Sequence, residues 1–391
     1  MSKRPWLTRN LKVVSGVSLL QDAASELLYP LMPILLTSVL GAPAAVVGAV
    51  EGIAEGVAAG TKVVAGRVSD RFRKRPLVGL GYGLAAVGKV LVAAASVWPV
   101  VLAGRAVDRL GKGIRGAPRD ALLVQDIPVE ARGRAFGFHR TADTAGAVIG
   151  PLIALAGYEL LDHRLRPLLW IAVVPALASV ALVSLVREVP GAAEAAQAVP
   201  PPLRSPGPFE PPRRFWWVVA VVGLFSLINF PDALLLLRLH EIGFGVTGVI
   251  LAYVGYNLVY TVLSYPAGVV ADRLSPQTVF AVGLLVFAVV YFGLGVTENH
   301  AVAWLLLGGY GAYTGLTDGV GKAWVSGLLP AGAQGTGQGI FQGVLGAGVL
   351  VAGIWAGLAW DGDGHLPLMV SGVAAGVIGL TLLLAPRPVR A

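Results

Sequence analysis

Long apolar runs recur along the whole chain, and only short polar segments separate them. A membrane-spanning helix needs about 20 predominantly apolar residues. The runs lie at about 13–38, 42–65, 76–97, 99–125, 135–157, 167–186, 215–238, 246–270, 276–296, 301–328, 336–359 and 366–385. The pattern predicts an all-α integral membrane protein with about twelve transmembrane helices.

Composition agrees with this interpretation and narrows the chemistry. Of the 391 residues 55% are hydrophobic and only 13% are charged, whereas a soluble domain carries about 25% charged residues. The chain has no cysteine, which excludes disulfides and thiolate metal sites. No phosphate-binding P-loop and no metal-ligand spacing of histidines is present, so the sequence indicates neither an ATP-driven pump nor an enzyme.

Basic residues favour one side of the predicted membrane. Arginine and lysine concentrate in the amino-terminal segment, in the segments after the second, fourth, sixth and eighth runs, and at the carboxyl terminus. The alternate loops hold little beyond Arg164, Arg166 and Arg238. Since basic loops stay in the cytoplasm, both termini are predicted to be cytoplasmic, in the inner (cell) membrane of a bacterium. The net charge of +8 reflects these loops, so we expect no nucleic-acid partner.

The chain repeats itself at a constant offset. "AGRVSDRFRKR" at 65–75 resembles "AGVVADRLSPQ" at 267–277, and further glycines recur at the same spacing of 202 residues. Segment 188–213 is rich in proline and is typical of a solvated linker. We therefore predict two homologous six-helix bundles, 1–187 and 214–391, joined by a cytoplasmic linker at 188–213.

These motifs resemble the major facilitator superfamily of secondary transporters. Three features carry the resemblance: "GRVSDRFRKR" between the second and third runs, Arg105 inside the fourth run, and "AGAVIGPLIALAG" in the fifth run. The resemblance implies a cytoplasmic latch made by Gly66, Asp70 and Arg71, with a partial copy at Gly268, Asp272 and Arg273. The glycine–proline motif resembles that of antiporters. Its physical basis is close helix packing at Gly146 and Gly150 and a bend at Pro151.

Charged residues inside spans are costly and are expected to face protein or water. At helical spacing, six charged residues of the fourth run share one face, and Asp22, Glu26 and Tyr29 share a face of the first run. We assign proton coupling to Asp22 and Glu26. Superfamily architecture places a substrate cavity beside Tyr29, Arg105, Asp108, Arg109 and Lys112. Gating is assigned to Arg115, Arg119, Arg140 and Asp143. Glu51, Glu55, Lys62 and Lys89 are interpreted as structural ion pairs.

Polar and aromatic residues of the second half complete the predicted cavity. Pro231 is expected to bend the seventh run, and Asp318 can pair with Lys322 one helical turn away. Tyrosine offers an apolar face and a hydroxyl group, which suit an amphipathic organic substrate. The residues assigned to the cavity are Asn229, Asp232, Tyr253, Tyr256, Asn257, Tyr260, Tyr310, Thr314, Asp318 and Lys322.

Together these patterns predict proton-coupled export of a small charged or amphipathic organic compound by alternating access. The bases of the fourth run favour an anionic group on that compound. We expect a monomer in the lipid bilayer that needs no cofactor and no resident metal, with the proton gradient as its energy source. Two alternatives stay open. One is export of a divalent metal cation, using Asp22, Glu26, Glu51, Glu55 and Asp232 as oxygen ligands. The other is a membrane sensor or scaffold that does not transport.

Overall fold

The computed structural model describes residues 7–68, 73–127, 132–187, 211–329 and 334–385. Within these ranges the chain contains α-helices with short 3-10 and π segments and no β-strand. Each predicted apolar run is occupied by helix. The all-α prediction is therefore confirmed for the described residues.

The first half begins with α1 (Arg9–Leu28), which continues into short helical turns over Tyr29–Leu31, Met32–Ile34 and Leu35–Val39. The Thr8 side chain caps α1 by accepting a hydrogen bond from the Leu11 backbone N–H at 3.2 Å. The helices that follow are α2 (Ala44–Val68), α3 (Lys74–Ala94), α4 (Trp98–Val124), α5 (Arg132–Leu160) and α6 (Leu165–Val183).

The second half begins with an interrupted helix, α7 (Arg213–Ser226) and α8 (Asp232–Glu241). The predicted bend at Pro231 is confirmed as a complete break, because proline supplies no backbone N–H to the preceding turn. The helices that follow are α9 (Val246–Arg273), α10 (Pro276–Val296), α11 (His300–Ser326), α12 (Gln334–Leu358) and α13 (His365–Leu384).

Seven helices among the described residues are long and apolar enough to cross a membrane, judged by length and composition. They are α2, α3, α6, α9, α10, α12 and α13. Others fall short for identifiable reasons. Charged residues lower the hydropathy of α1 and α4, and the break leaves α7 and α8 with only 14 and 10 residues. The prediction of about twelve spans and of cytoplasmic termini stays a prediction.

The chain folds into two compact units. Unit 1 comprises Met1–Leu31 and Ile53–Ser205, and unit 2 comprises Met32–Gly52 and Pro206–Ala391. The first part of α2 thus groups with unit 2, because Gly48 and Gly52 meet the α12 backbone near Gly353 and Leu350. The division into six-helix bundles at 1–187 and 214–391, with a linker at 188–213, stays a prediction.

Small residues allow the closest helix packing. A Cβ atom built on Gly88 of α3 would lie 2.5 Å from the carbonyl oxygen of Gly104 on α4, and one on Gly146 of α5 would lie 2.5 Å from that of Leu19 on α1. Gly150, one turn further along α5, approaches Ala23 equally closely. Helix α5 continues through Pro151 to Leu160. In unit 2, α10 packs on α11 and α13 as α3 packs on α4 and α6 in unit 1.

Candidate functional site

The charged residues of α4 are mostly buried within unit 1. Arg105, Asp108, Arg109 and Arg115 are each less than a tenth exposed. Lys112 belongs to the same sequence pattern, but its side chain is exposed. The one face predicted from helical spacing therefore contains two environments, a buried one and an accessible one.

Asp108 forms a buried ion pair with Lys89 of α3. Lys89 Nζ lies 2.7 Å from Asp108 Oδ1, and the two side chains are 2% and 7% exposed. The close approach of Gly88 to Gly104 draws these two helices together at this level. The structural ion pairing predicted for Lys89 is confirmed, and its partner is a residue that the sequence assigned to the cavity. The cavity role of Asp108 stays a prediction.

Arg109 of α4 pairs with Glu55 of α2. Its Nε atom lies 3.3 Å from Glu55 Oε1, with Arg109 almost buried and Glu55 43% exposed. This confirms the ion pairing predicted for Glu55. Lys112 interacts electrostatically with Glu55 and with Asp22. Arg105 lies over the Tyr29 ring with its Cζ 5.7 Å from the ring centroid, a cation–π geometry.

Asp22 on α1 lies within a group of titratable residues in unit 1. It interacts electrostatically with Asp143, Lys112, Arg115 and Glu26. Among the described residues Asp22 forms no salt bridge of its own. Helix α5 supplies a second part of the group: His139 lies 3.7 Å from Asp143 and 3.3 Å from the Ser15 hydroxyl of α1. Asp22, assigned to proton coupling, and Asp143, assigned to gating, therefore lie on two helices that pack against each other.

Of the residues assigned to gating and to the latch, the structure describes the side-chain contacts of some and not of others. Arg115 lies over the Tyr82 ring at 4.3 Å, and Arg119 pairs with Asp120 at 2.9 Å and donates to the Ser18 hydroxyl at 3.1 Å. The latch residues Asp70 and Arg71 lie outside the described residues. Gly66 and Gly268 lie in α2 and α9, and the side chains of Arg140, Asp272 and Arg273 are outside the described part of the molecule.

Unit 2 contains a cavity of about 260 Å³ with both polar and aromatic walls. Six residues assigned to the cavity from sequence line it: Asn229, Asp232, Tyr310, Thr314, Asp318 and Lys322. Sequence reasoning missed much of its apolar wall, including Phe225, Phe280, Tyr313 and Phe341. These residues sit in uniformly apolar runs, where periodicity gives no signal that singles them out.

Asp232 accepts hydrogen bonds from two tyrosines. The Tyr256 hydroxyl donates to Oδ2 at 2.7 Å and the Tyr310 hydroxyl donates to Oδ1 at 2.5 Å. The break before α8 makes this arrangement possible, because it places Asp232 in the first turn of a new helix. The Tyr256 ring packs edge-on against both Tyr253 and Tyr310, which holds the two hydroxyl groups in place.

A second carboxylate of the cavity is paired. Lys322 Nζ lies 2.6 Å from Asp318 Oδ1, which confirms the pairing predicted from their spacing, and the Tyr260 hydroxyl donates to Asp318 Oδ2 at 3.0 Å. Asn257 and Thr314 donate instead to backbone oxygens one turn earlier on their own helices. Such local bonds are the usual alternative for a polar side chain within a helix.

Arg238 of α8 was not assigned a role from sequence. It is 2% exposed and donates to the carbonyl oxygens of Leu294, Thr297 and Asp363 at 3.0–3.2 Å. Two of these acceptors lie at the carboxyl end of α10, where helix carbonyls have no partner within the helix. Arg238 therefore ties the end of α10 to α8.

The carboxylates proposed as metal ligands are divided between the units. Asp22, Glu26 and Glu55 belong to unit 1, whereas Glu51 and Asp232 belong to unit 2. No group of three or more potential ligands that could hold a metal ion occurs among the residues placed by the structure.

The chain is similar over most of its length to known proteins. The family model described as Major Facilitator Superfamily matches residues 14–240. An uncharacterized MFS-type transporter of Methanocaldococcus jannaschii is 29% identical over 384 residues, which cover 96% of this chain and 95% of that protein. The multidrug resistance protein MdtH of Yersinia pestis is 30% identical over 142 residues, or 36% of this chain and 35% of that protein. The crystal structure of the nucleoside transporter NupG, 13% identical, aligns with a TM-score of 0.78 over 96% of this chain and 98% of that chain.

Proposed function

The chain belongs to the Major Facilitator Superfamily, and on this basis we propose that it exports a small amphipathic organic compound in exchange for protons. It is a membrane-spanning transporter of that superfamily, whose fold it shares. Export, antiport and proton coupling are the parts of the proposal that go beyond family membership. Alternating access between two six-helix halves is the mechanism that we propose for it.

The observation that carries proton coupling is the environment of Asp22. Its carboxyl group lies in the middle of α1, partly buried, and interacts with Lys112 and Arg115 without a direct ion pair among the described residues. A carboxyl group in such a place can take up and release a proton without first breaking a salt bridge. Glu26, one turn further along α1, belongs to the same electrostatic group.

Support for export comes from the packing of α5 and from a relative that is similar to part of this chain. Gly146 and Gly150 seat α5 against α1, as the antiporter-like motif in the sequence implies. The relative of Yersinia pestis that is similar over 142 residues is a multidrug resistance protein. The aromatic and polar cavity of unit 2 supports an organic substrate of modest size.

The remaining parts of the proposal follow from the same hypothesis. We place the protein in the cell membrane with both termini in the cytoplasm, acting as a monomer on a small-molecule substrate. It uses the proton gradient and needs no cofactor. The protein has no enzymatic activity in this proposal, because substrate moves without covalent change.

The test is transport by purified protein in liposomes that contain the pH dye pyranine and have an acidic interior. Three aromatic probes of different charge are added outside: benzyltrimethylammonium, phenylalanine and benzylsulfonate. Antiport predicts that at least one probe makes the interior more alkaline, since its entry drives protons out. Symport would make the interior more acidic.

The variant pair Asp22→Asn and Glu26→Gln, made together, should abolish this proton movement while leaving exchange of radiolabelled probe between the two sides. Asp162→Asn is a matched control, since Asp162 is exposed in a turn with φ of 50°, a conformation that asparagine tolerates. Proton movement that persists in the double variant would contradict the coupling role. If no probe moves at all, the sensor or scaffold alternative is favoured.

A further inference from the structure

The cavity of unit 2 contains a carboxylate without a cationic partner among the described residues, enclosed by aromatic rings. Resting on the proposed transport function, we propose that Asp232 recognises a cationic ammonium group on the substrate. The substrate class is then a small aromatic or amphipathic amine or quaternary ammonium compound. This differs from the anionic group that the bases of the fourth run favour.

Asp232 differs from Asp108 and Glu55, two other carboxylates within the helices, in what surrounds it. Asp108 is paired with Lys89, and Glu55 with Arg109. Asp232 instead accepts hydrogen bonds from two tyrosine hydroxyl groups. Within the described ranges no lysine, arginine or histidine lies within ion-pair distance of its carboxylate. A carboxylate in a low-dielectric site without a counter-charge is costly. A cationic ligand would provide that counter-charge.

The charges that line the cavity add to a negative balance. The charged residues in its lining are Asp232, Asp318 and Lys322. Since Lys322 is held by Asp318 at 2.6 Å, these two nearly cancel, and the charge of Asp232 remains. The local potential therefore favours cations over anions.

The aromatic wall suits the same ligand. Phe225 lies edge-on to both Phe280 and Tyr313, with ring centroids 6.3 and 6.0 Å apart, and Phe341 completes the wall. Ring faces attract an ammonium group, and they pack well against an aromatic substituent. The cavity volume of about 260 Å³ is close to the lower limit for small-molecule pockets, so the cavity suits a small compound.

Three bases of unit 1 are already neutralised by a carboxylate. Lys89, Arg109 and Arg119 each have an acidic partner already. An anionic substrate that binds at one of these three bases would have to displace its carboxylate.

The experiment measures binding by isothermal titration to the full-length protein in detergent micelles, with benzyltrimethylammonium and benzylsulfonate as the charged pair of probes. The wild type should bind the cation more tightly than the anion. Asp232→Asn should weaken cation binding by at least about 30-fold, since removal of one charge of a buried pair has effects of this order. The matched control Asp361→Asn, in an exposed turn with φ of 43°, should leave the affinity unchanged.

A second variant tests the same idea with the opposite sign and without touching Asp232. Lys322→Gln removes the basic group of the described lining, so affinity for benzyltrimethylammonium should rise about three- to tenfold and any binding of benzylsulfonate should fall. This variant keeps the test decisive if Asp232→Asn does not fold. The Tyr310→Phe variant keeps the ring and the carboxylate, and it should retain most of the affinity for the cation.

The inference is overturned if Asp232→Asn binds the cation as the wild type does, if the wild type prefers benzylsulfonate, or if Lys322→Gln weakens cation binding. These results are separable from failure of the proposed function. Proton movement driven by benzylsulfonate alone would keep the antiporter and remove the cation site. An Asp232→Asn variant with unchanged cation affinity but without proton movement would assign Asp232 to proton transfer.

Discussion

Lys89 Nζ and Asp108 Oδ1 lie 2.7 Å apart, with both side chains buried between α3 and α4. The pair sits at the level where Gly88 and Gly104 bring the two backbones together. Neither charge could be buried alone at acceptable cost, so each depends on the other. This ion pair is a structural element of unit 1, and it explains why a lysine and an aspartate persist in apolar runs.

Removal of one member of this pair should be severe. Lys89→Met leaves the Asp108 carboxylate buried without its partner, and we expect the free energy of unfolding to fall by about 3–5 kcal/mol. Denaturant unfolding in micelles measures the effect. The double variant Lys89→Met with Asp108→Leu, which replaces both members by apolar groups of similar shape, should recover most of the loss. Equal instability of the single and double variants would contradict the argument.

The pair of Lys322 with Asp318 should behave differently, although its distance of 2.6 Å is similar. The two side chains are 48% and 37% exposed, so water solvates either charge when the other is removed. Lys322→Met should therefore change the free energy of unfolding by only about 0–1 kcal/mol. The same denaturant titration checks this value. A loss as large as that of Lys89→Met would show that exposure does not separate the two pairs.

Helix packing through glycine gives another prediction. A Cβ atom at Gly88 would meet the Gly104 carbonyl oxygen at 2.5 Å, a backbone atom that cannot move aside easily. Gly88→Ala should lower the free energy of unfolding by about 1–3 kcal/mol. Gly83→Ala on the same helix is the control, because a Cβ there meets nothing within 4 Å. The control should be neutral or stabilised by up to about 1 kcal/mol, since alanine favours helix.

Arg238 offers a prediction for unit 2. Its guanidinium group donates to three carbonyl oxygens, which the single ammonium group of lysine cannot reproduce in the same planar geometry. Arg238→Lys should lower the free energy of unfolding by at least about 2 kcal/mol. Arg164→Lys, at an exposed loop arginine, should stay within about 0.5 kcal/mol of the wild type. Thermal unfolding of both variants in micelles gives the comparison, and equal effects would contradict the assigned role.

Features that depend on neighbours along one helix could be predicted from the sequence. The break at Pro231 and the pairing of Asp318 with Lys322 follow from local backbone chemistry and from helical spacing, and both are confirmed. The family resemblance read from short motifs is confirmed as well. Helical spacing also puts Glu51 and Glu55 on one face, yet the two residues belong to different compact units.

Hydrophobic patterning and charge placement therefore determined the helices and their membrane character, and short motifs determined the family resemblance. Only the tertiary structure decided which charges are neutralised. Lys89 pairs with Asp108 across two helices, whereas Asp232 meets two tyrosine hydroxyls and no cation in the part of the chain that the structure describes. The reason is physical. Spacing along a helix specifies which residues share a face, but the helix that this face meets depends on packing across the whole unit.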